Sequence, residues 1–214
     1  MITQSAIQLI VNNLAAMRGT RTVFRHLDLT ANAGDAYAII GPNGAGKTTF
    51  LRCIAGLLPP AAGSVALTGG DDERSVGEHC HYIGHLNGIK PALSVIENLQ
   101  FYSHFLGGGD VWAAAGQLAL ADLEDIPAAY LSAGQKRRLG LARLLCAYRP
   151  VWLLDEPAVS LDKASQDILA QIVSDHLRGG GIVLAVTHTP LGWETAKTLD
   201  FARIAAEEAE AAGE

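Results

Sequence analysis

The chain has 214 residues, enough for one or two domains with a real buried core. Apolar residues make up 49% and charged residues 18%, a balance that excludes intrinsic disorder. With 16 Lys plus Arg against 22 Asp plus Glu the net charge is −6, which weighs against a free-standing nucleic-acid binder, since those carry a basic face.

The start, Met1-Ile2-Thr3-Gln4-Ser5, lacks the basic region and apolar stretch of a signal peptide. Residues 7–11 form a short apolar run and 22–30 alternate loosely, so the N-terminal part reads as β. Residues 31–35 are a turn by composition. Residues 36–40 predict a buried strand ending at Gly41. Apolar residues at helical spacing over 47–57 then predict a helix that stops at Pro59-Pro60. Another short strand is expected over 63–69.

From about residue 86 to 149 helical periodicity replaces strand signals. Three helices are predicted, over 95–105, 111–123 and 133–148, the first two separated by Gly107-Gly108-Gly109. Strands return over 151–154 and 181–187, with a helix over 163–177 between them. These elements imply a core of about residues 1–85 and 150–214, interrupted by a helical subdomain at 86–149, all within one domain. The core is expected to be a parallel sheet covered by helices. The tail, 205–214, is rich in Ala and Glu and reads as a solvated helix or frayed end. No apolar run approaches the roughly 18 residues of a membrane span, so the chain is expected to be cytosolic.

Gly41-Pro42-Asn43-Gly44-Ala45-Gly46-Lys47-Thr48 fits G-x-x-x-x-G-K-[ST], with a strand before it and a helix after it. The glycines let the backbone wrap phosphate oxygens and aim N–H groups at them. The helix adds its positive dipole end. Lys47 is placed to reach the β- and γ-phosphates of ATP, and Thr48 offers a hydroxyl to Mg²⁺. Thr49 joins the nucleotide-binding set. The strand at 151–154 ends in Asp155-Glu156, where α/β sheets place ligand groups. Asp155 is the expected Mg²⁺ partner and Glu156 the expected general base for the attacking water. The strand at 181–187 ends similarly at His188, an expected γ-phosphate contact.

His79-Cys80-His81 resembles a metal or haem cluster at first sight. Strand alternation would put the two imidazoles on one face and the thiol on the other, and no C-x-x-C-H motif exists. A polar strand edge is expected there, without direct haem binding. Cys53 and Cys146 lie in apolar helical contexts and read as core residues.

Phosphate loops serve many enzymes, and the narrower signal is Leu131-Ser132-Ala133-Gly134-Gln135 opening a helix shortly before Asp155. It resembles the L-S-G-G-Q signature of ABC-type ATPases, with Ala133 as a small-for-small departure. The resemblance spans residue 7 to about 191. It implies the P-loop ABC nucleotide-binding fold, with a RecA-like core, an N-terminal antiparallel β part and an inserted helical subdomain. It also implies a sandwich dimer, in which Ser132, Gly134 and Gln135 meet ATP on a second copy of the chain. Val159-Ser160-Leu161-Asp162 then corresponds to the loop that crosses that dimer.

Two positions depart from the common pattern. Arg18 stands where the family often stacks an aromatic residue on adenine, a role a guanidinium plane can fill. His85 stands where a glutamine normally touches Mg²⁺ and the attacking water. Both departures, with Tyr82-Ile83-Gly84-His85 and Glu97-Asn98-Leu99-Gln100-Phe101-Tyr102, resemble one subfamily. It comprises the ATP-binding subunits of the cytochrome c maturation (haem exporter) ABC complex. That resemblance implies a multi-span membrane permease, further maturation subunits, and a peripheral place on the cytoplasmic face of the bacterial inner membrane. It implies ATP hydrolysis coupled to haem export or to release of a haem-loaded chaperone. The alternative within the class is an ATPase subunit of another small-solute, drug or lipid exporter.

Overall fold

The computed structural model describes residues 6–187, 193 and 196–204. His188, the tail from 205 and the first five residues lie outside that set.

Strands β1 (Gln8–Arg18) and β2 (Arg21–Asn32) form an antiparallel hairpin joined at Gly19-Thr20. Strand β4 (Ala62–Thr68) pairs on the other side of β1, giving a three-stranded sheet in the order β2-β1-β4. Strand β1 runs well past the apolar stretch at 7–11, because bulges between Val11 and Ala16 let it continue past Asn12 and Asn13. Residues Ala31 and Asn32, expected in a turn, belong to β2, and only Ala33-Gly34 turn the chain.

The second sheet is all parallel. It comprises β3 (Ala36–Ile40), β5 (Cys80–Ile83), β6 (Val151–Asp155), β7 (Ile182–Val186) and β8 (Lys197–Asp200), in the order β5-β6-β7-β3-β8. Strand β8 has no apolar signature. It forms by pairing with β3, and Lys197 Nζ sits 2.8 Å from Asp35.

Among the described residues the sheets are flanked by α1 (Lys47–Ile54), α2 (Val95–Leu106), α3 (Val111–Gln117), α4 (Ala133–Ala142) and α5 (Lys163–Arg178). Three stop short of their periodic patterns. Helix α1 ends at Ile54, before the double proline, and Gly56 with φ 69° turns the chain away. Helix α3 ends at Gln117, since Ala119 takes φ 52°, and helix α4 tightens into a 3-10 turn at Arg143–Leu145.

Side chains of the parallel strands divide between two apolar clusters. Val151, Leu153, Ile182, Leu184 and Val186 pack with α1 and the antiparallel sheet. Trp152, Leu154, Val183 and Ala185 pack with α2 to α5. That is the two-sided burial of a parallel sheet, produced by the period-2 alternation of each strand.

The expected polar edge at 79–81 is not exposed. His79 belongs to a 3-10 turn, and its Nε2 lies 3.0 Å from the Asp71 carbonyl. His81, 4% exposed, bonds the Ala147 carbonyl at 2.8 Å. The strand is at the sheet edge, but residues 70–71 lie against the His79 ring and Ala147 against the His81 ring. Cys53 and Cys146 are buried.

Candidate active site

Parallel strands end on one edge, and three of those ends build the site. The phosphate loop follows β3, Asp155 closes β6, and Val186, which lines the cleft, closes β7 between them. The loop needs its glycines. Gly46 has φ 103°, and a Cβ there would sit 2.6 Å from Val23 Cγ1. Behind the loop, Phe24, Phe50 and Phe201 form a cluster with ring centroids 5.7–6.0 Å apart. It ties α1 to the antiparallel sheet and so holds the loop's helix in place.

Lys47 is buried, and its Nζ donates to the Gly41 carbonyl at 2.6 Å and the Pro42 carbonyl at 3.0 Å. Thr48 Oγ1 donates to Asp155 Oδ2 at 2.9 Å, across 107 positions of sequence. Asp155 is 4% exposed. A hydroxyl and a carboxylate at this separation are the hard oxygen donors Mg²⁺ takes, with phosphate and water filling its other positions. The residues present therefore fit that ion.

These groups open into a cleft of about 540 Å³. Its wall brings together Arg18, Asn43, Gly44, Gly46, Lys47, Thr48, Thr49, His85, Asp155 and Glu156. Thus the two irregular positions, Arg18 and His85, reach the same cleft as the phosphate loop. Gly41 and Pro42 contribute through the carbonyls that hold Lys47, and Ala45 through its N–H, which donates to Pro42 at 3.3 Å. Glu156 takes φ 49°, a left-handed conformation uncommon for a side-chain-bearing residue. Its N–H donates to the Val186 carbonyl at 2.9 Å.

Ser132, Gly134 and Gln135 do not line this cleft. They open α4 as a capping box: Ser132 N donates to Gln135 Oε1 at 2.8 Å, and Gln135 N to Ser132 Oγ at 3.2 Å. A second, smaller cleft of about 230 Å³ runs from Ala133 and Ser160 to His85 and Glu156. Gly134 approaches Ser160 closely; a Cβ would stand 3.0 Å from its carbonyl oxygen.

Sequence reasoning passed over Arg21, Arg52 and Arg137. Arg21 and Arg52 line the main cleft, and Arg52 Nε lies 3.4 Å from Tyr82 Oη. The signal for Arg52 was its spacing, one helical turn after Thr48 on the same face.

The fold and cleft define a P-loop nucleotide-binding unit. The sequence profile of the family described as ABC transporter matches residues 24–159, and the chain belongs to that family. Its relatives include the "Cytochrome c biogenesis ATP-binding export protein CcmA" of Nitrobacter winogradskyi, 56% identical over 85% of this chain and 92% of that protein. The protein of the same name from Bradyrhizobium diazoefficiens is 51% identical over 87% of this chain and 94% of its own length. Among solved structures, an ATP-binding subunit of an ABC transporter superposes with a TM-score of 0.78 at 21% identity, covering 90% of this chain and 85% of that one. A dimeric ATP-binding cassette in a post-hydrolysis state, bound to ADP and Pi, superposes with a TM-score of 0.74 at 23% identity, covering 85% of this chain and 88% of that one.

Proposed function

We propose that this chain is the ATP-hydrolysing subunit of an ABC complex for cytochrome c biogenesis. It couples ATP binding and hydrolysis to haem export or to release of a haem-loaded chaperone. The observation that supports the chemistry most is the Thr48–Asp155 bond of 2.9 Å, inside a cleft shared with Lys47, His85 and Glu156. The support for the pathway is the identity of 56% and 51% to export proteins of that name.

In this reading ATP lies along the phosphate loop, with backbone N–H groups and Lys47 on its phosphates and Arg18 against the base. Thr48 and Asp155 would hold Mg²⁺, with His85 as a further ligand or water contact, and the charge these residues fix there would offset that of the β- and γ-phosphates. Glu156 accepts a proton as the water oxygen attacks the γ-phosphorus and ADP leaves.

Ser132, Gly134 and Gln135 act on the ATP of a second copy, which agrees with their absence from this chain's own cleft. A multi-span permease and other maturation subunits receive the motion through the helical stretch 86–149. In the same reading this chain is a peripheral subunit on the cytoplasmic face, beside its permease; no described helix is long and apolar enough to cross a membrane.

Lys47→Ala removes the charge at the phosphates. It should abolish ATP turnover, and cells carrying only this variant should lose holo-cytochromes c. Normal cytochrome c maturation in those cells would overturn the assignment.

A further inference from the structure

Arg137 is the fifth residue of α4, two positions after the signature, and it is 4% exposed. Its Nε donates to the Pro157 carbonyl at 3.1 Å. Nη1 donates to the Gly84 carbonyl at 2.9 Å and to Asn87 Oδ1 at 3.0 Å. Nη2 donates to the Asp155 carbonyl at 3.1 Å and the Glu156 carbonyl at 2.8 Å. A guanidinium has five N–H groups. Each finds its own acceptor here.

These acceptors fall in two stretches that share nothing else in sequence. Gly84 and Asn87 flank His85, and Asp155 to Pro157 surround Glu156. The Asn87 stretch is gripped again by Arg143, whose Nη1 donates to the Asn87 carbonyl at 3.1 Å while its guanidinium lies 3.9 Å from the Tyr102 ring centre. Burial disfavours the Arg137 charge, and the nearby Asp155 and Glu156 carboxylates oppose that effect. An L residue resists the left-handed φ of 49° found at Glu156. That conformation is held on both sides, by Val186 on the N–H and by Arg137 on the carbonyl.

We propose that Arg137 is a positioning residue for hydrolysis. It sets the backbone of Glu156 and the segment of His85 against one another, and ties both to the signature helix. A displacement of that helix is thereby transmitted to the water-activating group. The proposal rests on Glu156 being the general base.

Arg137→Lys keeps the charge but has three donors on a point head instead of five in a planar fork. In the full-length protein it should lower kcat about tenfold or more while the KM for ATP changes less than about threefold, since the phosphate loop is untouched. Asn87→Ala removes one acceptor and leaves the guanidinium in place. It should lower kcat about threefold, again with little change in KM. Parent kcat in Arg137→Lys overturns the proposal, as does a folded variant, with the parent thermal midpoint, in which ATP binding weakens as much as kcat falls. If Arg137→Lys does not fold, parent kcat in Asn87→Ala overturns it. Glu156→Gln separates the two readings: turnover at the parent rate there refutes the base itself, independently of Arg137.

Discussion

His81 shows what burial does to a single residue. A carbonyl only accepts, so the ring nitrogen facing Ala147 carries the proton and donates it. Burial pulls the imidazole from its ordinary 6.5 down to about 4, and the charges of Arg149 and Arg143 push the same way. The folded chain therefore holds this ring neutral. Below pH 6.5 the unfolded chain takes up a proton that the folded chain refuses until about pH 4. Stability present above pH 6.5 is thus lost progressively as pH falls toward 4, by on the order of 3 kcal/mol at full displacement. His81→Gln keeps an N–H donor without a titrating ring. Its thermal midpoint should fall less than the parent's between pH 7 and pH 5, and an equally steep fall would remove His81 as the cause. Nothing in His79-Cys80-His81 announced this burial, because Ala147 reaches the ring only through the fold. Arg137 escaped for a similar reason. Its acceptors are mostly backbone carbonyls, and carbonyls carry no sequence signature.

Helix starts are the most legible elements. Ser94-x-x-Glu97 and Ser132-x-x-Gln135 are both capping boxes in the structure, and α2 and α4 begin one residue after each serine. Ser94 Oγ accepts from Glu97 N at 3.3 Å, and Glu97 Oε2 accepts from Ser94 N at 2.7 Å. Ser94→Ala should cost about 1 kcal/mol of stability, measured by denaturant titration, with the KM for ATP unchanged. An altered KM would mean that this cap also shapes the nucleotide cleft. Helix ends are harder to read, since apolar periodicity continues through 3-10 turns such as Arg143–Leu145. Strand β8 is the opposite case. Lys-Thr-Leu-Asp has no pattern of its own and becomes a strand because β3 offers an unpaired edge.

At the scale of the molecule, the parallel sheet separates two apolar clusters and aligns three strand ends on one edge. The antiparallel sheet braces the phosphate loop through Phe24 and Phe50. In the proposed cycle two such chains close over ATP. Glu156→Gln should bind ATP, lose at least about a hundredfold in turnover, and elute as a dimer in ATP and a monomer without it. A monomer in ATP would exclude the sandwich arrangement for this chain. The phosphate loop, the Asp155-Glu156 pair and the signature were legible from sequence alone, because backbone cradling and helix-terminal anion sites demand particular residues at short spacings. The meeting of Arg18, His85, Arg52 and Asp155 in one cleft was decided by tertiary structure. So was the joining of the His85 and Glu156 segments by one arginine. Both depend on strand order and on contacts across tens of residues, which local periodicity does not encode.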